Sequence, residues 1–253
     1  MKNLLFYFLL VSCLSVGCQT QQKKSLTIAT AANVQFAMEE LIQAFSEETG
    51  LNSEIILGSS GKLTAQIKAG APYDLFVSAD MKFPEDLYQN GFTQNKPQIY
   101  AYGKLVLWTL KKDFTLSVNS LKNPQIKHIA LANPETAPYG TAAVECMQYY
   151  KVFGDVSSKL VYGESIAQTN QFILSASAEA GFTAKSVLLS PKMKNQGQWL
   201  EIDQKSYTPI AQGAVVLKNK DQAKIQQAEK FYAFLFSEKA KKILVKYGYE
   251  IKS

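Results

Sequence analysis

The sequence predicts an α/β protein built as two α/β lobes joined by a two-strand hinge, and three observations carry that prediction. Short apolar runs of strand length alternate with segments whose apolar residues recur every three or four positions, the pattern of parallel strands covered by helices. Two segments, 98–110 and 207–218, are rich in β-branched and aromatic residues and bracket a further α/β set, as strands would that carry the chain to a second lobe and back. With 253 residues, 47% of them hydrophobic, the chain can fill two cores. The expected division is 26–100 and 212–253 for lobe 1, and 101–211 for lobe 2.

The first eighteen residues, MKNLLFYFLLVSCLSVGC, place one lysine before an apolar run too short to span a bilayer, which reads as an export signal. Leu14, Ser15, Val16 and Gly17 lead into Cys18 and resemble the lipobox of bacterial lipoproteins, so Cys18 is the expected acylation site. Cys13 is a rival, although cleavage there would leave a shorter apolar core, and a plain secretory signal is a third reading. Residues 19–25, QTQQKKS, are polar and read as a tether between a lipid anchor and the folded body.

From Leu26 the elements follow in order. LTIAT (26–30) is a strand, AAN a turn, and 34–48 a helix with apolar Ala37, Met38, Leu41, Ile42 and Phe45, stopped by Gly50. The plan repeats with a strand at 53–57, the turn GSSG, a helix at 62–69 and Gly70 as its stop. A strand at 74–79 and a helix closing at Asn90 and Gly91 come next. Between the crossover segments lie the strand-like KHIALANP, a helix from about Gly140, the strand 159–163, a helix after Ser165 and a strand at 178–184. Residues 221–247 show helical spacing and would pack back onto the lobes.

The formal charge is +6, but the basic residues are scattered rather than gathered on one helix or tail, so a nucleic-acid partner is not expected. All 27 basic residues are lysines. An anion site here therefore has no guanidinium fork and must rely on lysine point charges or neutral donors. Four turns at the carboxyl ends of expected strands, 31–33, 58–61, 137–141 and 164–166, are mostly small or hydroxyl-bearing and each leads into a helix. Helix N-termini offer free amides and the positive end of the dipole, which hold an anion without any basic side chain. Asn33 and Ser60 also suit simple helix capping, and taken singly either would be read as a cap.

The chain resembles the periplasmic molybdate-binding proteins of bacterial ABC importers along roughly 26–251. The resemblance is carried by TIATAANVQFAMEELIQAF, GSSGKLTAQIKAGAPYDLFVSAD, ANPETAPYGTAA and VKYGYEI. It implies the two-lobed type II periplasmic-binding-protein fold, with molybdate, and tungstate beside it, held in the interlobe cleft by neutral hydrogen-bond donors. Matched position by position, it assigns ligand binding to Asn33, Ser60, Tyr139 and Ile166, with a backbone donor from Ala32. Many members have a tyrosine where this chain has Ala184, which leaves one donor unaccounted for. The resemblance further implies a monomeric, extracytoplasmic receptor anchored to the membrane by lipid. Its partners would be separate permease and ATPase subunits, and it would need no cofactor and no metal-ion ligands.

Other readings are weaker. The single histidine, His128, opens an apolar strand, so Ser-His-Asp and Cys-His catalysis and a His/Cys metal cluster find little support, and no enzyme is expected. GSSGK lacks the earlier glycine of a phosphate-binding loop, where Ile56 stands, and its Ser/Thr, where Leu63 stands. A binder of another oxyanion such as sulfate remains open, because one fold hosts many ligands. Cys146, in a helical apolar stretch, reads as a small buried hydrophobe.

Overall fold

The computed structural model describes residues 25–252. The expected export signal, Cys13, the acylated Cys18 and nearly all of the tether lie outside the described residues.

Strand β1 (Leu26–Ala31) passes through one 3₁₀ turn, 32–34, into α1 (Gln35–Thr49), which Gly50 ends in the left-handed conformation that glycine adopts without strain. There follow β2 (Ser53–Gly58), α2 (Ser60–Lys68), β3 (Leu75–Val77), α3 (Lys82–Gln89) and β4 (Gln98–Gly103). The next run comprises β5 (Leu105–Thr109), β6 (Ile129–Ala132), α4 (Pro138–Tyr149), the short α5 (Phe153–Val156), β7 (Leu160–Gly163) and α6 (Ile166–Leu174). It continues with β8 (Ala180–Ala184), α7 (Lys185–Leu188) and β9 (Gln198–Glu201). The chain closes with β10 (Ile210–Val216), α8 (Gln222–Leu235) and α9 (Glu238–Lys246).

Two five-stranded sheets result, ordered β2-β1-β3-β10-β4 and β7-β6-β8-β5-β9. They share one plan. In the first, β1 pairs in parallel with β2 and β3 while β10 runs antiparallel between β3 and β4; in the second, β6 pairs in parallel with β7 and β8 while β5 runs antiparallel between β8 and β9. Parallel neighbours need helical crossovers, and these put the helix N-termini at the carboxyl ends of β1, β2, β6 and β7.

The segment 98–110 is divided at Lys104: β4 pairs in the first sheet and β5 in the second. Residues 101–103 and 210–211 thus pair within the first sheet, and the chain changes lobes at Lys104 and again between Glu201 and Ile210. The helix expected from Gly140 begins at Pro138, because proline at the first helical position gives up an amide that has no intrahelical partner anyway. The helical spacing over 221–247 resolves into two helices. Ser237 accepts a hydrogen bond from the Ala240 amide at 3.2 Å and caps a new helix.

Each lobe buries its own core. In the second, fully buried Trp108 of β5 sits among Leu131, Phe182 and Met147. The first sheet is covered on both faces. Ile28 faces α1, α8 and α9, where Phe45 meets Phe231 edge-on with ring centroids 5.0 Å apart, and Ala29 faces Leu63 and Leu87 of α2 and α3. That two-sided burial is why β1 reads as a continuous apolar run instead of alternating.

Candidate functional site

Four turns supply the site. At α2 the capping residue is Ser59, whose hydroxyl accepts from the Lys62 amide at 3.4 Å. Ser60 is thereby left at the first helical position, where its amide has no acceptor within the helix. Its hydroxyl oxygen accepts from the Ala79 amide at 3.0 Å, so its own hydrogen remains able to donate. Tyr139 stands just after Pro138 in the first turn of α4, and Ile166 opens α6 behind the cap Ser165. Ala32 and Asn33 form the 3₁₀ turn after β1.

Ala32, Asn33, Ser60, Tyr139 and Ile166, drawn from both lobes, line one small cavity together with Ala31, Gly58, Ser59, Ala79, Ala137 and Pro138. The cavity is small, ≈ 10 Å³, which excludes an extended guest. No charged side chain lines it. Helices α2, α4 and α6 all begin at this cavity, beside the Ser60 hydroxyl, an arrangement suited to a small anion. Lys62 and Lys185, the lysines beside these turns, are held in ion pairs with Glu164 (2.5 Å) and Glu201 (2.6 Å).

Beneath the cavity lies a polar network that sequence reasoning missed. Asn33 spends both side-chain amide hydrogens away from the cavity, donating to Gln212 Oε1 at 2.9 Å and to the Tyr249 hydroxyl at 3.1 Å. What Asn33 can offer a ligand is therefore its backbone amide. Gln212 Oε1 also accepts from the Tyr100 hydroxyl at 2.7 Å, and Gln212 Nε2 donates to the Tyr139 hydroxyl at 3.1 Å. Ser186 donates to the Asn33 carbonyl at 2.7 Å. Burial pushes the phenols of Tyr100, Tyr139 and Tyr249 well above the ordinary tyrosine range, so all three stay protonated at neutral pH. The one sequence signal for this layer is Gln212 itself, a polar residue inside the apolar strand IAQGAVV.

The lobes are closed over the site. Across the mouth the Gly61 amide donates to the Thr136 carbonyl at 2.9 Å, and Lys62 pairs with Glu164. Farther out Lys192 pairs with Glu39 at 3.1 Å. A larger groove of ≈ 640 Å³ runs along α1 and α9, but it mixes the carboxylates Glu39, Glu40 and Glu47 with Lys192, Lys239 and Lys242 and gathers none of the four turns. Two of those carboxylates are already paired, with Lys192 and Lys246. The small cavity is the better site for an oxyanion.

Known proteins share this chain's sequence pattern and fold. Residues 26–250 match the family described as bacterial extracellular solute-binding protein. The molybdate-binding protein ModA of Azotobacter vinelandii is 36% identical over 231 residues, 90% of this chain and 90% of that protein. ModA of Rhodobacter capsulatus is 36% identical over 222 residues, covering 87% of this chain and 86% of its own length. The solved periplasmic molybdate-binding protein of Azotobacter vinelandii superposes with a TM-score of 0.85 at 33% identity, over 90% of this chain and all of that one. Its two-lobed α/β fold is the one described above. The chain belongs to the bacterial extracellular solute-binding protein family.

Proposed function

We propose that this protein is the extracytoplasmic substrate-binding component of an ABC importer that captures molybdate, and tungstate with it, between its lobes. The observation that carries this reading is the convergence of Ala32, Asn33, Ser60, Tyr139 and Ile166, from four turns and two lobes, on one small cavity with no charged lining. The ModA relatives support molybdate as the cargo. A dianion enclosed there is held by the backbone amides of Asn33, Ser60, Tyr139 and Ile166, by the Ser60 hydroxyl, and by the Ala32 amide.

Selection follows from size and protonation. Molybdate and tungstate share size and charge, so a cage of fixed donors barely separates them. Sulfate is smaller and leaves donors badly paired, at a cost of about 1–3 kcal/mol for each one lost. Phosphate carries a proton at neutral pH that needs an acceptor, and a cage of donors offers none. The protein itself performs no chemistry. It hands its ligand to a separate permease and ATPase while held to the membrane by acylated Cys18, acting as a monomer.

Calorimetric titration with molybdate, tungstate, sulfate and phosphate tests the assignment. The expected result is similar affinity for the first two and at least a tenfold weaker response to the others. Equal affinity for sulfate and molybdate would overturn it.

A further inference from the structure

We infer that Gln212 is a positioning residue for the ligand, and that its bond to the Tyr139 hydroxyl is a latch made only when the lobes close. The inference rests on the reading of Tyr139 as a backbone donor to the anion, and extends it to what the same residue does with its side chain.

Gln212 is fully buried in β10, the strand on which the chain returns from the second lobe, beside an irregularity in its pairing with β4 between Gln212 and Gly213. Its one side chain joins both jaws. Through Oε1 it accepts from Asn33, in the first-lobe turn that lines the cavity, and from Tyr100 of β4; through Nε2 it donates to Tyr139, in the second-lobe turn that lines the cavity. The phenol of Tyr139 reaches the hinge. A Cβ built on Gly103, the last residue of β4 before the crossover, would fall on the Tyr139 hydroxyl and on Gln212 Nε2. Absence of a side chain at Gly103 is what lets the second lobe's tyrosine dock there.

Tyr139 therefore carries two contacts in one residue. Its backbone stands in the first turn of α4 at the cavity, where the amide has no acceptor within the helix, and its hydroxyl is seated in the first lobe's hinge strands. Rotating the lobes apart about Lys104 pulls the hydroxyl off Gln212, and closing returns it. A bond present only in the closed state adds to ligand affinity and nothing to the stability of the open, ligand-free protein, because affinity scales with the population of the competent state.

The test is Tyr139→Phe, which keeps the ring and the backbone amide, beside Gln212→Leu and the double variant. Each is titrated with molybdate, tungstate, sulfate and phosphate, and its melting temperature is measured without ligand. The expected result for Tyr139→Phe is a Kd raised about five- to thirtyfold for every anion the wild type binds, by the same factor for each, with the ligand-free melting temperature unchanged. The double variant should lose less than the product of the two single losses, since the partners share one bond. An unchanged Kd, losses that multiply, or a melting temperature that falls while affinity stays constant would each overturn the latch. A wild type that prefers sulfate or phosphate removes molybdate as cargo and still tests the latch with that anion. Failure of the wild type to bind all four overturns both.

Discussion

Ser60 is the side chain with the most direct claim on the proposed ligand, because its hydroxyl is already held by the Ala79 amide, while of the other lining hydroxyls Ser59 caps α2 and Tyr139 is bonded to Gln212. Ser60→Ala removes one hydrogen bond to a charged guest, worth about 1.5–3 kcal/mol, and leaves the Ala79 amide without its acceptor. The expected outcome is a molybdate Kd raised tenfold or more by calorimetry, with a folded protein that melts slightly lower. An unchanged Kd would remove Ser60 from the site. At this scale the sequence was partly legible. Ser60 could be matched to a turn, but its separation from the capping role of Ser59 depends on where α2 begins, which spacing leaves uncertain by a residue or two. For Asn33, identity was readable and orientation was not, since the partners that take its amide hydrogens, Gln212 and Tyr249, stand 179 and 216 residues away.

Among the elements, the parallel units were the most readable because each joins a strand signal, a turn and an amphipathic helix within some thirty residues. The crossover was harder. Residues 98–110 could be read as a crossover, but nothing in their apolar spacing marks Lys104 as the residue at which the chain leaves one sheet and joins the other. Strand β9 was missed because QWLE is four residues on a sheet edge, too short to show a period. Helix α4 shows how tightly an element can be seated. A Cβ on Gly140 would fall on the Ala132 carbonyl at the end of β6, with the Pro134 nitrogen 2.9 Å away. Gly140→Ala must push the first turn of α4 off the sheet, a crowding cost of about 1–3 kcal/mol that exceeds the helix-propensity gain of about 0.5–1 kcal/mol. Thermal denaturation should show a melting temperature lower by roughly 2–10 °C. A rise would mean that the turn has slack.

For the molecule as a whole, the proposed function is a balance between open and closed lobes, and Gly61 offers a way to shift it. Its added Cβ would lie 2.9 Å from the Thr136 Cα and 3.0 Å from the Phe83 ring. Thr136 belongs to the opposite lobe, so that collision exists only when the cleft is shut. Gly61→Ala should therefore weaken molybdate binding by tenfold or more while moving the ligand-free melting temperature little, since helix propensity favours alanine but the Phe83 ring of the same lobe must give way in either state. Parallel loss of both would show that the lobes meet in the ligand-free state as well. Two lobes and a hinge were legible from the paired crossovers. The closed geometry was not, because bonds such as that from Gly61 to Thr136 join backbone atoms and leave no mark on residue choice.

The direction of β1 has one more consequence. Its first residue, Leu26, and its last, Ala31, at the edge of the ligand cavity, are separated by about 17 Å of extended chain. Just before it, the Ser25 carbonyl is gripped by Lys224, which is itself clasped to buried Asp74 at 3.0 Å. Any mechanical load applied ahead of β1 is thus taken up at the floor of the first lobe, far from the anion. With the proposed anchor at Cys18, the second lobe would be the jaw without a leash, free to swing without working against the mooring.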